Sequence, residues 1–512
     1  MEFRVLFRRI LQSAIAKAYF TSILGVISGL FMQLVFVKAL TKMVSPLEFS
    51  LYGFIFQIVS YFMIFQLGLD YAISREISLN LGKADNHTAN QAYWFIRRFN
   101  IRIIAIAALS IIVIALFFHF GFGLQKEYDI RTSVQLVLLF GLSQLITFSV
   151  VPNIAALIGS NLQYLANLNN VVINILSTLL GYILLLNGGG IYSLPIALIF
   201  WGFCNILFLQ WNVKKRCRWL QNEPGERNKD LEKKTIRFSI ATTLGGLAWT
   251  IEATSDVIIL NSAGLLNLVG IYVIWWRFPQ MLFDLITRFT TSSTPGFALA
   301  HGRSEHESKK LFQKVLLMIS GGALIVAVGI ALWLPSFIQI WINNNEYYYP
   351  NYHALSILMA ILVFFRIVGN CLGMYLISIG EVSITTRLSW VQAIFKVLLG
   401  ISLVHYFSLE GIFWASSITA FLQVTFLTGY LIVRKIIPFK IIAWLMVMIL
   451  IGGSSFFYMP IETNLSLFLA KIIATAILVG IMWLASVNIF GYEKLLGFKT
   501  RKLIKGNNVF SA

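Results

Sequence analysis

The chain has 512 residues, 58% of them hydrophobic and only 12% charged, with a mean hydropathy of +0.79. That length would otherwise suggest several soluble domains, but such a surface excludes a water-soluble fold and points to a polytopic membrane protein. The formal net charge of +19 does not imply nucleic acid as a partner, because Lys and Arg fall in short segments between apolar spans and no soluble domain remains to present them.

In chain order, the N-terminus repeats apolar residues at Phe3, Leu6, Phe7, Ile10, Leu11, Ala14 and Ile15, with Arg4, Arg8 and Arg9 elsewhere around the helix. This pattern predicts a helix lying on the inner membrane surface, and the spanning-length apolar stretch that follows is not a cleavable signal. About fourteen segments approach the roughly 20 residues needed to cross a bilayer. They are 18–40, 49–69, 101–120, 134–157, 169–186, 190–212, 238–261, 266–290, 313–334, 353–378, 384–404, 410–433, 440–459 and 466–488. The expected fold is all-α. Cys204, Cys217 and Cys371 are an odd count without metal-ligand spacing, so neither a disulfide framework nor a metal site is predicted.

Charge sets the orientation. Arg4, Arg8 and Arg9 precede the first span; Arg75, Lys83, Arg97 and Arg98 follow the second; Lys214, Lys215, Arg216 and Arg218 follow the sixth. Arg303, Lys309 and Lys310 follow the eighth, Arg434, Lys435 and Lys440 the twelfth, and Lys494, Lys499, Arg501, Lys502 and Lys505 the last. All fall on one side, while the opposite loops hold little beyond Lys42, Lys126 and Arg131, so both termini are expected in the cytoplasm. The outer loops are also too short for an extramembrane catalytic domain.

The halves repeat. Gly82 to Asp85 (GKAD) matches Gly302 to Glu305 (GRSE), Ile158 to Ser160 (IGS) matches Ile379 to Glu381 (IGE), and Gly190-Ile191-Tyr192 matches Gly411-Ile412-Phe413. The offset of about 220 residues signals duplication of a six-helix unit. Six being even, both copies enter from the same side, which gives a parallel repeat about a pseudo-twofold axis normal to the membrane. The expected organisation is a six-helix lobe over 1–212, a cytoplasmic basic linker over 213–237, a second six-helix lobe over 238–436, and two additional helices with a basic tail over 437–512. Pro224-Gly225 marks a turn in the linker, and 228–237 reads as a surface helix.

Several ionisable residues lie inside apolar spans. Glu252 and Asp256 are four apart on the seventh span; Arg277, Asp284 and Arg288 follow with seven-then-four spacing on the eighth, so each set shares one helix face. Arg366 and Lys396 are further cations of the second half. Charge at that depth costs several kcal/mol and so usually faces a protein interior or a hydrated cavity. Pro279, two residues after Arg277, removes a backbone donor and is expected to kink the eighth span. Glu252 and Asp256 read either as ligands of a coupling proton or sodium ion or, with Asp284, as carboxylates that the cations neutralise, Arg288 being a further member of that charge-pair group. Asp70 and Arg75, at the cytoplasmic end of the second span, read as a gate contact or as capping and anchoring residues. Trp341, Tyr347, Tyr348, Tyr349 and Tyr352 suit an interfacial belt or a sugar-stacking surface. No Gly-rich phosphate loop, paired-Cys motif or nucleophile elbow occurs, so no cofactor and no enzyme activity are predicted.

The two six-helix units, the basic mid-chain linker, the two added helices and the stretch SDVIILNSAGLLNLVGIYVIWWRFPQ resemble the multidrug, oligosaccharidyl-lipid and polysaccharide exporter superfamily, most closely its O-antigen flippase branch. LGLDYAISREISLNLGKAD, LPSFIQIWINNNEYYYPNYHAL and SIGEVSITTRLSWVQAIFKVLLG carry the same likeness over nearly the whole chain. The resemblance implies two lobes working by alternating access in a bacterial inner membrane, moving an undecaprenyl-diphosphate-linked oligosaccharide and serving polysaccharide assembly proteins. On that expectation Arg277, Arg366 and Lys396 become headgroup contacts, since guanidinium binds phosphate through paired hydrogen bonds and Lys supplies a point charge. The alternatives are a cation-coupled multidrug exporter of the same fold and a membrane glycan polymerase or ligase.

Overall fold

The computed structural model describes residues 14–62, 69–121, 129–223, 227–438 and 465–489. The expected surface helix before residue 14, the thirteenth span, the Pro224-Gly225 turn and the basic tail lie outside the described residues. Among the described residues there is no strand.

The helices are α1 (Ala14–Met43), α2 (Pro46–Ser60), α3 (Leu69–Gly82), α4 (Asn86–Gly121), α5 (Ile130–Ser149), α6 (Val151–Gly159), α7 (Gln163–Leu186) and α8 (Ser193–Arg216), the last entered through a 3₁₀ turn at Gly190–Tyr192. They continue with α9 (Lys229–Ser262), α10 (Leu266–Arg303), α11 (Glu305–Ile342), α12 (Tyr352–Ser378), α13 (Val382–Val433) and α14 (Leu465–Ile489). Eight segments among the described residues are long and apolar enough to cross a membrane. α9 and α10 are not among them, because the charged and polar residues that make them interesting also dilute their hydropathy. At 1.5 Å per residue, α13 would be about 78 Å long, too much for one crossing. Its backbone breaks at Ser408 (φ 49°, ψ −126°), which resolves it into the expected eleventh and twelfth spans.

One sequence expectation is corrected, and one is extended. Beyond the expected end of the second span, α3 runs over Leu69–Gly82 with Ile73 and Ile77, one turn apart, both fully buried. Asp70 and Arg75 lie in the first two turns of α3, with their side chains outside what is described. Residues 229–237 do not form a separate surface helix; Asn228 caps them by accepting from Leu231 N at 3.0 Å, and they run unbroken into the seventh span.

The helix ends follow local chemistry. Ser45, Pro46 and Glu48 build a capping box at α2: Ser45 Oγ accepts from Glu48 N at 3.2 Å while Ser45 N donates to Glu48 Oε2 at 2.9 Å. Asp85 and Ser304, one position apart in the matched tetrapeptides, are both helix N-caps; Asp85 accepts from Thr88 N at 2.9 Å and Ser304 from Glu307 N at 3.2 Å. At the other matched pair, Leu162 N donates to Leu157 O (2.8 Å) and Glu381 N to Leu376 O (2.9 Å), each closing a helix around a left-handed residue. That residue is Asn161 (φ 61°) in the first half and Gly380 (φ 93°) in the second. The tail of each half then ties back to the same turn: Trp219 Nε1 donates to Ser160 Oγ at 2.8 Å, and Arg434 meets Glu381 at 3.4 Å. The caps and turns thus recur at an offset of 219 residues, one and two residues out of register with the sequence matches at 220 and 221.

By packing, the chain divides into Met1–Gly270 and Ile271–Ala512. In the first unit α1 packs on α7, α7 on α8, and α5 on both α4 and α8, while α9 lies along α2 and α3. Ile73, Ile77, Tyr93, Ile96, Val151, Leu157, Leu209 and Val213 share one core. Gly159 permits the α3–α6 approach there, since a Cβ would come within 2.6 Å of Ile77. Pro152 has no N–H, and the carbonyl it would have met, Phe148 O, receives Asn100 Nδ2 of α4 at 2.8 Å. Asn100→Leu should cost about 1 kcal/mol by removing the buried side-chain bond to that carbonyl, which keeps the Val150 N–H as a donor. The check is thermal unfolding of the purified protein in detergent, where an unchanged midpoint would show that the bond adds nothing.

In the second unit α12 packs on α11 and α13, and α14 docks on α11. Trp483 Nε1 donates to Leu317 O at 3.2 Å and Trp333 Nε1 to Thr475 Oγ1 at 3.2 Å, which fasten α14 in place. Phe297, Phe312 and Tyr375 stack at the basic-loop end, the last two 4.0 Å apart. The three cysteines are free, Cys217 and Cys371 buried.

Candidate functional site

The four polar positions Arg277, Gln280, Asp284 and Arg288 are spaced three, four and four residues apart and fall on one face of α10. Gln280 Nε2 donates to Asp284 Oδ1 at 3.0 Å. Arg288, Arg366 and Arg277 all lie close enough to act electrostatically on that carboxylate. Three guanidinium groups around one carboxylate leave two net positive charges. Arg366 comes from α12, its guanidinium carbon 5.5 Å from the Trp276 ring centre, and Trp276 leans on Phe413 at 5.8 Å. Stacking on the indole holds the guanidinium plane and strips water from one face without consuming its hydrogen-bond donors.

Arg277, Asp284 and Arg366 are partly exposed and Arg288 is exposed. Lys396 is different. It is 1% exposed, enclosed by the packing of α13, and is not one of the cations acting on Asp284. The helix continues through Pro279. Trp275, buried next to the cluster, donates its Nε1 to Tyr347 O at 3.0 Å and so fixes α10 to the loop after α11.

Glu252 and Asp256 belong to the first packing unit, at 6% and 5% exposure. Tyr61, just after α2, hydrogen-bonds Thr254 and lies in the field of Asp256. Asp256 is therefore packed near the residues that follow α2.

The aromatic group splits. Tyr347 is 1% exposed and Trp341 8%, so both serve packing rather than a lipid or sugar surface. Tyr348 sits edge-on to Trp275 and 5.1 Å from Tyr352. Burial pushes the Tyr348 hydroxyl up to about 12, and burial together with nearby Glu410 does the same for Tyr349. Both phenols thus stay neutral at physiological pH.

Sequence reasoning missed Gln280, Trp276 and Tyr61. Gln280 was visible in principle, since it is four residues before Asp284 on the same face. Trp276 and Tyr61 are recruited by tertiary packing and leave no local signal.

A family profile described as polysaccharide biosynthesis protein matches residues 15–277, more than half of the chain. The chain belongs to that family. No curated protein matches it. Among solved structures it is similar to a multidrug resistance MATE family transporter of the MOP superfamily. The inward-facing form aligns with a TM-score of 0.62 at 15% identity, over 81% of this chain and 95% of the other. The outward-facing form gives a TM-score of 0.63 at 17% identity, over 83% and 96%. A MOP superfamily transporter from Pyrococcus furiosus, described as having a binding pocket of reverse polarity, gives 0.59 at 14% identity, over 82% and 96%. The fold of this polysaccharide biosynthesis protein is that of a membrane transporter.

Proposed function

We propose that this protein is a flippase that carries an undecaprenyl-diphosphate-linked oligosaccharide across the bacterial cytoplasmic membrane by alternating access, for O-antigen, capsule or exopolysaccharide assembly. The observation that carries the reading is the net positive cluster of Arg277, Arg288 and Arg366 around Asp284 on helices of a transporter fold. A diphosphate entering a low-dielectric region needs such compensation, and a lipid-linked anion is the substrate type that fits a polysaccharide biosynthesis family. A cationic drug would instead favour a site dominated by carboxylates. The reported reversal of pocket polarity in the Pyrococcus furiosus transporter supports a fold that accommodates either sign. The side bearing the basic loops is the cytoplasmic one on this reading, with both termini there.

The test is reconstitution in liposomes with labelled diphosphate-linked oligosaccharide in one leaflet. Faster transbilayer movement than in protein-free liposomes is expected; movement of cationic drugs but not of the labelled lipid would select the multidrug alternative. An inside-negative potential already favours outward movement of an anion by roughly 2.3 kcal/mol per charge per 100 mV if it crosses the whole field. Glu252 and Asp256 are proposed as the coupling-ion site. In the same liposomes, Glu252→Gln or Asp256→Asn should flatten the response of the rate to an imposed proton or sodium gradient. A wild-type gradient response in both variants would leave them a structural role only.

A further inference from the structure

A cleft of about 270 Å³ opens in the unit Met1–Gly270 where α4, the α5–α6 junction and α8 meet the linker. Its walls carry Tyr93, Trp94, Arg97, Asn153, Gln210 and Lys214, and linker residues 220–222 close one side. The wall formed by the linker is fixed by specific bonds: Trp94 Nε1 donates to Gln221 O at 3.2 Å, Asn90 Oδ1 accepts from Gln221 N at 3.1 Å, and Asn90 Nδ2 donates to Glu223 O at 3.2 Å. Tyr93 donates to Asn153 Oδ1 at 3.0 Å, which orients the amide. The Arg97 guanidinium carbon lies over the Trp94 ring, 4.8 Å from its centre. Two cations and several amides line the cleft, and among the described residues that line it there is no carboxylate. Its chemistry selects an anion with several acceptor oxygens, such as a phosphate ester.

The surroundings specify which anion. One turn beyond Arg97 on α4, Ile101 is 63% exposed, and on α8 the residues two and three turns deeper than Lys214, Leu207 and Phe203, are 68% and 54% exposed. Exposed apolar side chains on both helices therefore lie beyond the cleft, with the exposed Arg102 next to Ile101 on α4. Trp94 and Trp211, the latter beneath Lys215 at 4.7 Å, are residue types that favour the membrane–water interface. A cationic cleft beside exposed apolar helix surface has the form of a phospholipid site.

We infer that this cleft binds the phosphodiester of an anionic phospholipid from the leaflet on the side of the basic linker, and that the lipid helps fasten the linker to the first unit. The inference does not depend on the flippase reading. The full chain would be placed in nanodiscs of phosphatidylcholine with increasing phosphatidylglycerol, with thermal midpoint and lipid retention by native mass spectrometry as readouts. Phosphatidylglycerol should raise the midpoint, and Arg97→Gln with Lys214→Gln should weaken that response by about tenfold or more, as expected for losing charged hydrogen bonds. Lys215→Gln with Arg218→Gln, outside the cleft, should leave it intact. If Arg97→Gln prevents folding, Lys214→Gln with Gln210→Glu at the exposed rim carries the same test. Retention of phosphatidylglycerol by the cleft variants at the wild-type level overturns the site. Protection by inorganic phosphate in pure phosphatidylcholine, through the same residues and equal to that by phosphatidylglycerol, makes it a free-anion site and overturns the lipid assignment.

Discussion

Arg277→Ala is expected to lower the flipping rate by roughly tenfold, and Arg277→Ala with Arg366→Ala to bring it to the protein-free baseline, with membrane insertion retained. A hydrogen bond to a charged group contributes about 1.5–3 kcal/mol net, and 1.4 kcal/mol corresponds to tenfold. The charge count argues the same way. Around Asp284 the wild-type cluster holds three guanidinium groups against one carboxylate; the single variant leaves two against one, and the double variant leaves Arg288 alone to balance Asp284, with no surplus for a diphosphate. Arg277→Lys separates charge from geometry, because a point charge replaces the planar fork; an intermediate rate is expected. Initial rates in liposomes at matched protein content are the measurement, supported by surface glycan in cells. A wild-type rate in the double variant would remove the cluster from the transport pathway.

How much of this was legible in the sequence depends on the range of the interaction. The repeat was legible because it resides in turns, and turns are local: the left-handed position at Asn161 and Gly380, and the caps at Asp85 and Ser304, are dictated by a few consecutive residues. The face of α10 was legible for the same reason, as a matter of spacing. Helix α3 was not read as a helix because it is amphipathic rather than uniformly apolar, so composition fades while burial of Ile73 and Ile77 persists. Which cation meets which carboxylate was not legible. Arg366 joins Asp284 while the equally apolar-flanked Lys396 is sealed into α13, and nothing in the flanking residues of either distinguishes them. The pairing of Trp276 with Arg366 and of Tyr61 with Thr254 likewise spans about 90 and 190 residues of sequence, beyond the reach of periodicity.

Asp284→Asn gives the sharpest separation of the two transporter readings, because they predict opposite signs. The amide keeps an oxygen to accept from Gln280, which bonds Asp284 Oδ1 at 3.0 Å, so local geometry is conserved while one negative charge is removed. The surplus of positive charge at the cluster then rises from two to three. For a diphosphate lipid, binding should tighten and release should slow: half-saturation falls several-fold and the maximal rate falls with it, because an anion held too strongly no longer leaves on the opposite side. For a cationic drug the same change removes the attractive group, and both affinity and transport should disappear. Stability should also respond. Taking one partner from a fully buried pair costs about 3–5 kcal/mol, but this cluster is partly exposed, and solvent screening reduces the expected loss to the order of 1 kcal/mol. Asp284→Ala should lose more, since Gln280 then has no side-chain acceptor at that position. Equilibrium binding of the labelled lipid, transport kinetics and thermal midpoint, measured on the same preparation, test the argument together. Weaker binding of the diphosphate lipid by Asp284→Asn at an unchanged midpoint would show that Asp284 assists the substrate directly, and the net-charge account of the cluster would have to be abandoned.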